Sequence, residues 1–115
     1  MHEMSLAMNI VELAVGKARE AGAQRIDAIE LEVGALAGVM VEALTFCLEA
    51  ASRDTMASGA RFGVAVIAGW ARCLECGDEF GVKALASPCP RCGNYATELV
   101  RGRELRVSSL LVDEE

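Results

Sequence analysis

Four of the five cysteines in this 115-residue chain stand in two pairs of the same spacing, Cys73-Leu74-Glu75-Cys76-Gly77 and Cys89-Pro90-Arg91-Cys92-Gly93. Each C-x-x-C pair can grip one edge of a tetrahedral ion with two thiolates, while its own backbone amides soften the sulfur charge. A glycine directly after the second cysteine of each pair lets the chain turn back with positive φ. Twelve residues, Gly77 to Pro88, separate the pairs, slightly fewer than in the usual structural-zinc template. A metal is therefore expected at Cys73, Cys76, Cys89 and Cys92, ahead of incidental or redox-active thiols. Zinc is preferred over iron on geometry and redox silence, although the C-P-x-C-G knuckle also resembles rubredoxin and keeps a coloured iron protein open as an alternative. Four thiolates close the coordination sphere, so the ion is read as structural. Its binding energy would hold together a segment with almost no apolar core of its own.

His2 is the only histidine, so any imidazole chemistry lies at the N-terminus. Chain ends fray, and a polar residue there is ordinarily idle. Its neighbours give it more weight. With Met1 retained, the free amine, the His2 amide nitrogen and the His2 imidazole form fused chelate rings, and the Glu3 amide nitrogen is available as a fourth in-plane donor. An all-nitrogen square plane favours Ni(II) or Cu(II) over zinc. The Glu3 carboxylate stands beside it, able to add an axial ligand or to offset the ion's charge. Other residues read as structure: Cys47 as a small buried hydrophobe, Met8 as helix packing, Met4 as the staple before it, and Glu30 and Glu32 as a solvated strand face. No Ser/His/Asp arrangement, P-loop or G-x-G-x-x-G is present, and nothing reads as a catalytic site.

Regular elements must carry these groups. Leu6, Ile10, Leu13 and Ala14 recur at helical spacing, joined by Val11, Val15 and Ala18, which predicts a helix from Ser5 to Ala21 with Ser5 as N-cap and Gly22 just past its end. The period then switches to two. Ile29, Leu31 and Val33 alternate with Ala28, Glu30 and Glu32, which describes a strand with one buried and one acidic, wet face ending at Gly34. Met40, Leu44, Cys47, Leu48 and Ala51 predict a second helix over Val39 to Ser52 with Cys47 pointing inward. Phe62 to Ala71 reads as a strand covered on both faces. Cysteines, prolines and glycines then dominate from Cys73 to Tyr95, and alternation returns at Leu105, Val107 and Leu111. The order predicts an α+β fold of two helices on a three-stranded sheet, with a zinc-ribbon-like module inserted before the last strand.

Charge narrows the partners. Eleven Lys and Arg against 17 Asp and Glu give a net charge of -6, which repels a phosphate backbone, so nucleic acid is not an expected partner. The longest apolar run is too short to cross a bilayer, and the N-terminus lacks the basic flank and apolar core of a signal peptide. No membrane role is expected, and the compartment is read as cytoplasmic. An odd number of cysteines there argues against a disulfide framework.

Along essentially its whole length the chain resembles the HypA/HybF hydrogenase maturation proteins. The likeness rests on Met1-His2-Glu3-Met4-Ser5-Leu6, on Leu31-Glu32-Val33-Gly34, on Ala43-Leu44-Thr45-Phe46, on both cysteine knuckles and on Gly102-Arg103-Glu104-Leu105-Arg106-Val107. The resemblance implies a nickel metallochaperone rather than an enzyme. It implies a nickel-binding α+β domain, residues 1–70 and 102–115, carrying Ni(II) as transient cargo through Met1, His2 and Glu3. It also implies a zinc-binding domain, residues 71–101, held by Cys73, Cys76, Cys89 and Cys92. The implied partners are the GTPase HypB and the [NiFe] hydrogenase large-subunit precursor, with service to urease in some organisms. The second helix departs from the family in opening Val39-Met40-Val41-Glu42 without the proline often found there. If His2 is idle, the same chain is a non-catalytic zinc-ribbon adaptor for protein docking.

Overall fold

A computed structural model describes residues 2–113; Met1, named above as a nickel ligand, lies outside the described residues. The elements are α1 (Glu3–Glu20), β1 (Arg25–Gly34), α2 (Val41–Ser52), β2 (Arg61–Ile67), β3 (Gly69–Cys73), β4 (Glu79–Val82), β5 (Thr97–Arg101) and β6 (Leu105–Asp113). Two three-stranded sheets form, in the orders β2-β1-β6 and β4-β3-β5. The chain divides into two compact units, one built around the helices and the first sheet, the other from residues 33–38 and 66–105.

In the first unit α1 buries Ala7, Ile10, Val11, Ala14 and Ala18. Small side chains dominate this stripe, so the packing face lies one helical step away from the bulkier residues. Leu13 is therefore 54% exposed, and Met4 and Met8 are exposed as well, which corrects the expectation that Leu13 and Met8 serve the core. The helix also starts earlier than predicted: His2 is the N-cap, without a side-chain bond, and Ser5 sits inside the first turn. The far end behaves as expected. Gly22, at φ 75°, donates its N–H to the Arg19 carbonyl and Ala23 donates to Ala18, both about a normal bond length at 3.0 and 2.9 Å, which is a complete Schellman closure.

The middle strand β1 departs from strict alternation. Ala28 and Ile29 are both buried, so Ala28 belongs to the core rather than to a wet face. The acidic face is only half wet. Arg106 pairs with Glu32, the Ser108 hydroxyl donates to the Glu30 carbonyl at 3.2 Å, and the missing side chain at Gly63 leaves room for the Glu30 carboxylate. On α2, Leu44 and Leu48 are fully buried, whereas Cys47 is half-buried on the flank of that stripe, so it does not point fully inward. The helix begins at Val41 because Met40 is still extended.

The apolar run Phe62 to Ala71 is two strands, broken at Ala68 and given to different sheets. Its first half, β2, is an edge strand with Val66 57% exposed, so it is not covered on both faces. At the chain's end Leu111 is exposed, and Leu110 and Val112 are the more covered residues.

In the second unit β3 pairs antiparallel with both β4 and β5, placing Ala71 opposite Phe80 on one side and Leu99 on the other. Its core is small: Ala71, Cys73, Phe80 and Cys89, with Val82 packed against them. Two of those four residues are metal-ligand candidates. Glycines permit the tightest approaches, since a Cβ on Gly34 would fall on the backbone at Gly102 and one on Gly102 would meet Gly69.

Candidate metal centre

The end of β3 delivers Cys73, and the loop after it forms the first knuckle. The Asp78 carbonyl accepts the Cys73 N–H at 2.8 Å and the Cys73 carbonyl accepts the Gly77 N–H at 3.0 Å, while the Cys76 amide points at the Cys73 sulfur from 3.5 Å. The second knuckle repeats the pattern. Cys89 donates to the Asn94 carbonyl at 2.9 Å and Gly93 to the Cys89 carbonyl at 2.8 Å. Gly77 and Gly93 have φ of 77° and 76°, the left-handed conformation that glycine adopts without a Cβ penalty. A bond from the Leu74 amide to the Ala96 carbonyl, 2.9 Å, ties the first knuckle to the exit of the second.

All four sulfurs lie within 4.8 Å of one another. The short separations run between knuckles: Cys73 to Cys92 is 3.6 Å and Cys76 to Cys89 is 3.7 Å. A regular tetrahedron with zinc–sulfur bonds of about 2.3 Å has edges of about 3.8 Å, so the cluster fits a tetrahedral thiolate-bound ion. The sequence-predicted site is brought together in full.

Three of the thiols are shifted in opposite directions by their neighbours. Its bond from the Cys76 amide, helped by the Glu75 amide and the Cys92 and Cys76 thiols, outweighs burial and lowers Cys73 to about 7. For Cys92 the Asn94 amide favours the thiolate, but the Cys73 sulfur, burial and the other two sulfurs prevail and push it up to about 12. Cys76 is likewise raised, as burial and the sulfurs of Cys89 and Cys73 overcome the Asp78 amide. One anchored thiolate thus opposes the next, and a metal ion reverses that repulsion. Protection is uneven: Cys73 and Cys89 are 1% and 2% exposed, whereas Cys76 and Cys92 are open to solvent.

Of the other predicted site the structure describes His2 and Glu3. His2 is exposed at the head of α1, and its side chain caps nothing. The Glu3 carboxylate instead accepts the N–H of Met40 at 3.2 Å, which holds its carboxyl below the ordinary value, with its own amide assisting. Sequence reasoning missed Met40 as a partner of Glu3. The available signal was negative: Val39-Met40 precede a helix with no Ser, Thr, Asp or Asn to cap it. Among the described residues the four cysteines are the only place where three or more His, Cys, Asp or Glu donors converge, and no helix is long and apolar enough to cross a membrane.

A small α+β unit joined to a four-thiolate knuckle pair defines a class of metal-handling protein with a closed site. The model of the family described as "Hydrogenase/urease nickel incorporation, metallochaperone, hypA" matches residues 1–112, and the chain belongs to the HypA family. Relatives named hydrogenase maturation factor HypA include one from Geobacter metallireducens, 43% identical over 98% of this chain and 100% of its own. Another, from Chlorobaculum tepidum, is 47% identical with the same coverage. The fold matches the solution structure of the Ni metallochaperone HypA from Helicobacter pylori with a TM-score of 0.74, at 20% identity and full coverage of both chains.

Proposed function

We propose that this chain, acting as a metallochaperone and not an enzyme, takes up Ni(II) at its N-terminus and delivers it for maturation of [NiFe] hydrogenase. The ligands are the Met1 amine, the His2 amide nitrogen and imidazole, and Glu3. The carrying observation is the family match over residues 1–112, which includes the Met-His-Glu start. Local structure favours it. The first N–H groups of an α-helix have no intrahelical acceptor, so a metal can displace the amide protons of His2 and Glu3 without breaking α1.

In this reading residues 1–70 and 102–115 form the nickel domain, and residues 71–101 the zinc domain, with Zn(II) held by Cys73, Cys76, Cys89 and Cys92 as a structural ion. The sulfur separations support zinc, as they support any tetrahedral thiolate metal of that size. HypB and the hydrogenase large-subunit precursor are the proposed partners, in the cytoplasm. The test is a calorimetric nickel titration of zinc-loaded protein with its authentic N-terminus, repeated on His2→Ala. One tight nickel per chain, lost in the variant with zinc retained, is the expected result. Equal nickel binding by both proteins would remove the N-terminal site and leave a zinc-ribbon adaptor.

A further inference from the structure

The four sulfurs of the knuckle pair are not equivalent. Cys76 and Cys92 are open to solvent, and Cys73 and Cys89 are buried. Each close approach between the knuckles joins one of each kind: Cys92 stands 3.6 Å from Cys73, and Cys76 stands 3.7 Å from Cys89. Residues 74–77 and 90–94 are all exposed, so the outer two sulfurs lie on open surface. The fifth cysteine, Cys47, has no part in the cluster.

We propose that the knuckle pair is a peroxide-responsive modification site, in which Cys76 and Cys92 take the oxidant and the buried cysteine across from each, Cys89 and Cys73, closes a disulfide on it. Cysteine oxidation follows exposure and thiolate character, and a metal-ligating cysteine is held as thiolate. Attack by the exposed sulfur breaks the O–O bond of peroxide. The sulfur is oxidised to a sulfenic acid, and the other oxygen takes up a proton and leaves as water. The buried thiolate then attacks the sulfenic sulfur, the S–O bond breaks, and with a second proton a second water leaves. Two such reactions turn four thiolates into two disulfides, and Zn(II) departs without changing its oxidation state.

The fold sets the pairing. The close approaches run between the knuckles, and a disulfide of about 2.05 Å leaves each pair about 1.6 Å to close. The bond from the Leu74 amide to the Ala96 carbonyl and the pairing of Cys73 with Thr97 hold the first knuckle against the exit of the second. Bonds across the knuckles join residues 19 and 13 positions apart and keep Cys73 and Cys89 in the core with Ala71 and Phe80. Bonds within each C-x-x-C pair close only short loops and leave the knuckles unconnected. The oxidised module is therefore free of metal yet folded, and a thiol reductant reverses the state by exchange. This inference rests on reading the cluster as a zinc site and is independent of the N-terminal nickel site.

Hydrogen peroxide titrated into the full zinc-loaded chain tests this, with released zinc read by a colorimetric reagent and the linkages mapped by mass spectrometry without reduction. Glu75 and Arg91 each lie between the two cysteines of a knuckle, so cleavage after glutamate and after arginine separates all four. Loss of the zinc with about two peroxides per chain, a mass lower by about 4 Da, and the linkages Cys73–Cys92 and Cys76–Cys89 are expected, with Cys47 still free to alkylate. Dimedone added with the peroxide should mark Cys76 or Cys92. Amide resonances of β3 to β5 should stay dispersed in the oxidised metal-free chain and collapse in the reduced chain stripped of metal. Linkages within a C-x-x-C pair, dimedone on Cys73 or Cys89 first, or zinc retained through a large excess of peroxide overturns the proposal. A chain purified without zinc fails the reading of the ion instead, and its linkage map still decides the pairing.

Discussion

Glu3, in the first turn of α1, accepts the backbone N–H of Met40, the residue that opens α2, at 3.2 Å. Met40 has no side-chain oxygen to cap its own helix, so a carboxylate from elsewhere in the chain meets one of the free amides at the positive end of the helix dipole. The beginnings of both helices are thereby tied together. The proposed nickel site lays claim to the same carboxylate.

Replacing Glu3 separates the two roles. In nickel-free protein Glu3→Ala should lower the thermal midpoint, and Glu3→Gln, which keeps an acceptor oxygen, should lower it less. The sign with pH follows from the lowered carboxyl: the stabilisation is complete above the usual carboxylate value of about 4.3 and is lost as pH falls through the lower folded value. The gap between wild type and Glu3→Ala should therefore be flat near neutrality and close only in acid. If nickel takes the carboxylate, the Met40 amide resonance should shift on titration. A gap independent of pH into strong acid would mean that the bond contributes nothing.

Loss of a knuckle cysteine should empty the metal site. Protein purified as Cys73→Ser/Cys92→Ser should contain no zinc by elemental analysis, where wild type should contain one ion per chain. Amide resonances of residues 71–101 should collapse toward random-coil positions while those of α1 and α2 persist, because the ion supplies what a core of Ala71, Cys73, Phe80 and Cys89 cannot. Zinc at full complement in the double variant would contradict this.

Glycines at two positions should respond in opposite directions. A methyl group on Gly34 runs into the Gly102 carbonyl and the Arg103 amide, and backbone cannot rotate aside, so Gly34→Ala should cost at least the about 1–3 kcal/mol of ordinary overpacking. Gly16→Ala meets open space and should gain about 0.5–1 kcal/mol of helix propensity. Urea unfolding at low protein concentration measures both, and similar midpoints for the two variants would be inconsistent with the packing described.

Extending the N-terminus should abolish nickel binding and spare zinc. A few added residues convert the Met1 amine into an amide, removing one donor and the end of the chelate. Protons compete with the ion for amine, imidazole and amide nitrogens alike, so nickel affinity of the untagged chain should fall steeply as pH drops from about 8 to 6, the range in which free amines and imidazoles ordinarily take up protons. A tagged protein that binds as tightly, with a tag that does not chelate, would refute the site.

Spacing alone disclosed the four-cysteine cluster, because a tetrahedral ion constrains two C-x-x-C pairs more strongly than any sheet constrains its strands. The stripe on α1 was visible too, but not which of its flanking residues would be covered: small alanines, not Leu13, set the approach. The break at Ala68 leaves no mark in the sequence, since Phe62 to Ala71 carries no charged or polar side chain, and composition does not say that one half belongs to a different sheet. β5 is five residues with only Leu99 strongly apolar on its covered side. Contacts such as Glu3 with Met40, 37 residues apart, leave no periodic trace.

The uneven cover over the four sulfurs bears on how fast the ion exchanges, separately from how tightly it is held. Cys73 and Cys89 are sealed, so an incoming chelator finds its first vacancy only where Cys76 or Cys92 lets go. Departure through that open side would be stepwise and accelerated by the competitor, while the sealed pair would keep the ion attached between steps and favour its recapture. An ion held there would thus have one open side, and the two knuckle cysteines that face the solvent would set its lifetime.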